Sequence, residues 1–129
     1  MANVYLFGAS GHGKVIKDIL NANGIKVEAF VDDNLRVNEC ADRKVLHDAG
    51  GLSPMIVSIG VNRIRRMIVN RLVAKANADG LPLEFATAIH PSATASPSAK
   101  IGKGTVVMAG AVINADAVIV GIVCLAILI

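Results

Sequence analysis

At 129 residues the chain has room for one ordinary domain, or for a small domain and part of another. It is 53% hydrophobic but only 3% aromatic, so its core must be built from Val, Ile, Leu and Ala. A net charge of +3 from scattered basic residues, with no Trp and one Tyr to stack on bases, argues against a nucleic-acid partner.

Residues 3–7, NVYLF, read as a buried strand. A glycine loop follows, and HGKVIKDILNANG then places Val15, Ile16, Ile19 and Leu20 at helical spacing with a stop at Asn23-Gly24. Residues 26–31, KVEAFV, predict a second strand ending at Asp32-Asp33. Residues 34–54 are polar and irregular, with a short strand near Val45-Leu46, and 55–59, MIVSI, predict another strand. VNRIRRMIVNRLVAKAN reads as an amphipathic helix with Val61, Ile64, Ile68 and Leu72 on one face and Arg63, Arg66 and Lys75 away from it. Strand–helix–strand order implies a parallel sheet, so 1–82 is expected to be a Rossmann-like α/β domain.

After Pro82 the helical spacing ends. Ile89, Ala95, Ile101, Val107, Ile113, Ile119 and Leu125 recur every six residues, separated by small and turn-prone residues. That period predicts a hexapeptide β-helix over 83–129, with three short strands per 18-residue coil, and such coils must stack to bury their inner face. Beyond Ile119 the text becomes VGIVCLAILI: the glycine falls at 121, one place late for the repeat, and the polar turn residues vanish. A truncation or frameshift is the expectation there, with an apolar edge that needs burial by self-association. The final 13 residues carry no charge but fall short of the ~18 a membrane span requires. The N-terminus lacks the pattern of a signal peptide, and Cys40 and Cys124 form neither a zinc motif nor a disulfide framework. A cytoplasmic protein without a metal is expected.

The glycine loop, LFGASGHGKVI, is the first candidate site. Gly8, Gly13 and Lys14 satisfy G-x-x-x-x-G-K, but Val15 stands where a P-loop needs Ser or Thr for magnesium. Gly8, Gly11 and Gly13 follow a strand and open a helix, and Asp32 ends the next strand, as in dinucleotide-binding folds. Free N–H groups at a helix N-terminus favour a phosphate, so the loop predicts a nucleotide or phosphate more firmly than NAD. A glycine turn that only packs helix on sheet is the plain alternative, against which His12 and Lys14 stand at the loop mouth.

GASGHGKV, the FVDD strand end, SIGVNRIRR and IHPSATASPSAKIGKGTVVMAGAVINADAVI together resemble the sugar acyltransferases that include sialic acid O-acetyltransferases and UDP-4-amino-sugar N-acetyltransferases. The resemblance runs from residue 3 to about 119. It implies a Rossmann-like domain that holds a UDP-sugar or related nucleotide sugar. It also implies a left-handed β-helix that trimerises and binds acetyl-CoA between subunits, and direct acetyl transfer in surface glycan synthesis with a histidine as base. By position, Gly8, Ser10, Gly11, His12 and Gly13 match the loop around the sugar and its phosphates. Asp32 and Asp33 match the acidic strand end near the uridine, and Gly60 and Asn62 match the far wall of the acceptor pocket.

Each assignment has a plainer counterpart: a solvated turn for Asp32-Asp33, and a helix cap for Asn62. Arg63, Arg65, Arg66 and Arg71 read as a solvated helix face, with Arg65 within reach of a phosphate. His90, before Pro91, reads as structural, and His47 has no assigned role. The acidic-His segment that supplies the family's base has no counterpart after His90, so this chain is expected to bind acceptor without normal turnover, with His12 contacting the acceptor. A Rossmann-like module that binds NAD, CoA or a UDP-sugar without chemistry is the main alternative, and an inert assembly protein the other.

Overall fold

The computed structural model describes residues 3–122 and, for the backbone, 124–125. Its first half is a five-stranded sheet in the order β3-β4-β2-β1-β5, formed by β1 (Val4–Phe7), β2 (Val27–Val31), β3 (Glu39–Cys40), β4 (Arg43–Leu46) and β5 (Met55–Val57). Four strands are parallel, and β3 adds an antiparallel edge. Helix α1 (Gly11–Ala22) and helix α2 (Asn62–Asp79) cover opposite faces. Along β1, Val4 and Leu6 join the α1-side core while Tyr5 and Phe7 join the α2-side core, as the two-residue period of a strand requires. Both helices stop where left-handed backbone is cheap: α1 just before Gly24 (φ +72°), and α2 at Gly80 (φ +66°).

The face expected of α2 needs one correction. Ile64, Ile68 and Leu72 pack inward, but Val61 precedes the helix and is 54% exposed, and Arg65 takes an inward place beside Val69. Arg63 and Arg66 stay exposed.

Residues 84–86 run beside β5, where Met55 N–H donates to Glu84 O (2.9 Å) and Ala86 N–H to Met55 O (2.9 Å). The hexapeptide strands follow: β6 (Ala88–Ile89), β7 (Thr94–Ala95), β8 (Lys100–Ile101), β9 (Val106–Val107), β10 (Val112–Ile113), β11 (Val118–Ile119) and β12 (Cys124–Leu125). Each of the seven residues spaced six apart is the second residue of its strand. Parallel pairing joins β6 to β9, β7 to β10, β8 to β11 and β9 to β12, so one turn of the helix takes 18 residues. Val107, Ala111 and Ile113 form its buried centre. Among the described repeat residues Ala95 is the exception and remains exposed.

The first coil is capped by hydroxyls. Thr87 Oγ1, Ser92 Oγ and Ser98 Oγ accept from the N–H groups of Gly104, Gly110 and Asp116, at 3.1, 3.1 and 2.9 Å. Those three donors, and Ile122, all have φ between +63° and +82°. The coil therefore repeats one left-handed turn residue every six positions. Gly and Asp adopt it readily, whereas a β-branched residue such as Ile122 resists it. So although the sequence frame slips after Ile119, the backbone keeps the repeat as far as β12. Residue 123 and residues 126–129, on which the apolar-edge expectation falls, lie outside the described residues.

The two halves share a core. Ala88 and Val106 join the cluster beneath α1, and Asn23 Nδ2 donates to Ile89 O (2.8 Å). Phe85 and Ile122 pack against the cluster beneath α2.

Candidate functional site

β1 and β5 are neighbours in the sheet, yet their chains leave toward opposite faces, into α1 and α2. Divergence of this kind opens a crevice at the carboxyl ends of the strands, where open α/β sheets hold ligands. Gly8–Gly13 and Ile59–Asn62 leave those strands side by side, a Cβ on Gly8 lying 3.2 Å from Ile59 Cγ1.

The glycines divide by role. Gly8 has φ +122°, and a Cβ there would lie 2.7 Å from Ser58 O. A Cβ on Gly13 would meet Gly8 O at 2.4 Å and Phe30 Cε1 at 2.8 Å, so α1 seats this closely only without a side chain. Gly11 is exposed, with nothing within 4 Å of an added Cβ. Ser10 precedes α1 in extended conformation without capping it, and the first intrahelical bond is Lys14 N–H to Ser10 O (3.1 Å). The N–H groups of Gly11, His12 and Gly13 precede that bond, which is the arrangement that attracts anions.

Asp32 holds this loop in shape. It is half-buried, and its carboxylate accepts from Ala9 N–H (2.9 Å) and Asn34 N–H (2.8 Å), so it is not a solvated turn residue. Asp33 instead turns outward to Arg71 in a doubly hydrogen-bonded pair (2.9 and 3.1 Å), and the Arg71 guanidinium lies 5.2 Å above the Phe7 ring. Lys14 is exposed on the first turn of α1, on the side of Cys40. Burial pushes the Cys40 thiol up, against the opposing pull of Lys14.

His12 lies against Gly60 and within reach of the Arg65 charge. A Cβ on Gly60 would lie 3.7 Å from His12 Nδ1, so the turn after β5 packs against the imidazole. Burial, and then the charge of Arg65, lower the His12 pKa below its ordinary 6.5 and keep the ring neutral at pH 7. Arg65 is only 6% exposed, which corrects its placement on a solvated face. It donates to Ile59 O (2.8 Å) and to Asn62 Oδ1, so Asn62 serves Arg65 and does not cap α2, which begins after Val61. Below Arg65, a groove of about 470 Å³ separates α2 from the third coil, lined by Asn62, Arg66, Val69, Val120 and Ile122 among others.

Two residues escaped the sequence reading. Ser58 is fully buried and its hydroxyl lies 2.9 Å from Phe7 O and 2.8 Å from Gly8 O, which fixes the loop's entry; the signal was a lone hydroxyl inside MIVSI. Arg71 gave no signal beyond its charge. The other histidines are engaged elsewhere: His47 Nε2 donates to Val37 O (2.9 Å), and His90 Nδ1 accepts from Ser92 N–H (3.0 Å).

Residues 3–72 match the family described as the PglD N-terminal domain. The chain belongs to that family. It is 37% identical over 119 residues to UDP-N-acetylbacillosamine N-acetyltransferase of Bacillus subtilis, covering 84% of this chain and 52% of the relative. Among solved structures it resembles PerB from Caulobacter crescentus in complex with CoA and GDP-perosamine (TM-score 0.78, 37% identity, 96% of this chain, 59% of that one). It also resembles the acetyltransferase domain of PglB from Neisseria gonorrhoeae (TM-score 0.79, 37% identity, 96% of this chain, 62% of that one). The chain thus spans about half to three-fifths of the length of these relatives. Among the described residues no group of His, Cys, Asp or Glu is arranged to hold a metal, and no helix is long and apolar enough to cross a membrane.

Proposed function

We propose that this chain is the acceptor-binding part of a nucleotide-sugar N-acetyltransferase of glycan synthesis. Residues 1–82 hold a nucleoside-diphosphate-linked amino sugar and residues 83–129 begin the β-helix. The observation that carries this reading is Gly60 packed against His12, within reach of the Arg65 charge, beside a glycine loop at a helix N-terminus, in a family whose solved relative holds CoA and GDP-perosamine. The N–H groups of Gly11–Gly13 take the diphosphate, Asp32 keeps the loop shaped for it, and Gly60 leaves room for the sugar. His12, held neutral, accepts a hydrogen bond from the sugar amine and orients it.

Acetyl-CoA supplies the acetyl group as a thioester. The coils suit such a donor in kind, with exposed Lys100 and Lys103 available to its phosphates and outer strand faces that the rest of the chain leaves uncovered. A homotrimer, through those same faces, and a cytoplasmic location alongside sugar nucleotides and acetyl-CoA complete the reading.

A thermal-shift panel tests it. UDP- and GDP-linked amino sugars are expected to raise the melting temperature saturably, and NAD to leave it unchanged. Stabilisation by NAD alone, or by nothing in the panel, would overturn the reading. The 129-residue polypeptide by itself is expected to bind without measurable release of CoA from acetyl-CoA, and measurable turnover would overturn that expectation.

A further inference from the structure

We propose that Arg65 is a positioning residue that ties the third coil of the β-helix to the acceptor crevice and so fixes where His12 sits. The inference rests on the reading of that crevice as the acceptor site. Its basis is a continuous set of contacts from one half of the molecule to the other.

At the coil end stands Ile122, held at φ +66° where the coil elsewhere places Gly or Asp. Several contacts hold it there. Its N–H donates to Lys103 O (3.1 Å), and its side chain joins the α2-side core. A Cβ on Gly104 would meet its Cγ1 at 2.8 Å, and the carbonyl of Ile122 receives a long bond of 3.5 Å from Arg65 Nε. Gly121, its neighbour, packs so closely on the coil below that a Cβ would lie 2.2 Å from Lys103 O.

At the crevice end, the same guanidinium grips Ile59 O and Asn62 Oδ1, which flank Gly60. Gly60 in turn lies against the His12 ring. One planar, buried cation thus spans the β-helix turn and both sides of the turn that touches the imidazole. Its fork suits this task because its donors point in fixed directions, which a lysine ammonium cannot reproduce. Among the described residues Arg65 has no carboxylate partner: the ion pairs there are Arg71 with Asp33 and Lys75 with Asp79. With no carboxylate to offset it there, the Arg65 charge acts on the His12 ring and disfavours its protonation.

The consequence is mechanical. A reaction between a group bound on the α/β half and one bound on the β-helix needs the halves aligned to about 1 Å. Arg65 provides that alignment at the position of His12.

The test uses the full 129-residue chain and three variants, Arg65→Met, Arg65→Lys and Gly121→Ala, with imidazole titration by NMR and nucleotide-sugar affinity by calorimetry. Arg65→Met is expected to move the His12 titration to higher pH and to weaken UDP-sugar binding by about two- to thirtyfold, the range for residues along a coupled network. Arg65→Lys keeps the charge but loses the fork, so it is expected to weaken binding while leaving most of the titration shift in place. Gly121→Ala touches neither His12 nor the ligand, yet displaces the coil turn, and is expected to shift the His12 ring resonances and weaken binding in the same direction. Wild-type titration and affinity in Arg65→Met and Arg65→Lys would overturn the proposal, as would unchanged His12 resonances in a folded Gly121→Ala. If Arg65→Met does not fold, the other two variants decide. If the wild-type chain binds no nucleotide sugar, the functional reading fails while the His12 titration still reports on the Arg65 link.

Discussion

Replacing Gly13 by Ala, with Gly11→Ala as its control, separates what the glycine loop does for the fold from what it does for a ligand. At position 13 the added methyl would sit 2.4 Å from Gly8 O and 2.8 Å from Phe30 Cε1. Neither neighbour yields easily: Phe30 is fully buried, and Gly8 O lies 2.8 Å from Ser58 Oγ. Helix α1 must therefore retreat by about 1 Å to restore ordinary contact. Overpacking of this kind costs about 1–3 kcal/mol. The better helix propensity of Ala offsets up to about 1 kcal/mol. The net expectation is a loss of about 1–2 kcal/mol, or roughly 3–8 °C in Tm for a chain of this size. At position 11 the methyl meets nothing within 4 Å, so stability should hold or rise by up to about 1 kcal/mol. Binding is expected to invert the contrast. The methyl added by Gly11→Ala sits at the helix N-terminus whose N–H groups are proposed to take the diphosphate, and is expected to weaken nucleotide-sugar affinity without unfolding anything. Urea unfolding read by circular dichroism, paired with calorimetric titration, supplies both numbers. A Gly13→Ala protein as stable as wild type would refute the packing argument, and a Gly11→Ala protein with full affinity would refute the placement of the ligand.

Ser58→Ala strips the hydroxyl from beside Gly8 O and is expected to cost about 1–3 kcal/mol in denaturant unfolding, with nucleotide-sugar affinity falling alongside. Gly110→Ala places a methyl at φ +75° in open space, so it isolates the conformational cost and should lose about 1–2 kcal/mol, with native circular dichroism retained. The lowered pKa of His12 has a definite sign in the stability curve. The unfolded chain binds the proton more readily, so the contribution is present above the ordinary 6.5 and is lost as pH falls below it. His12→Gln is therefore expected to flatten the acid side of a stability-against-pH profile, and an unchanged slope would contradict the burial of the ring.

Local pattern and periodicity settled much of this protein before any tertiary contact was considered. Side-chain alternation and helical spacing place β1, α1, β2, β5 and α2 because each pattern reflects a face buried by its own element. The six-residue period placed all seven β-helix strands, since a stacked coil forces the same residue type inward at each turn. The family, too, was legible, because the order of motifs survives in the linear text. What the sequence left open depends on contacts between distant segments. Whether Arg65 is solvated or buried turns on the third coil, 57 residues away, meeting α2. Asp32 and Asp33 look alike in FVDD, yet one braces the glycine loop and the other pairs with Arg71, because adjacent residues at a strand end point to opposite sides. The loop around His12 acquires its chemistry in the same way: glycine spacing announces a turn beside a helix N-terminus. Only tertiary structure brings Gly60 against the imidazole and the Arg65 charge within its reach.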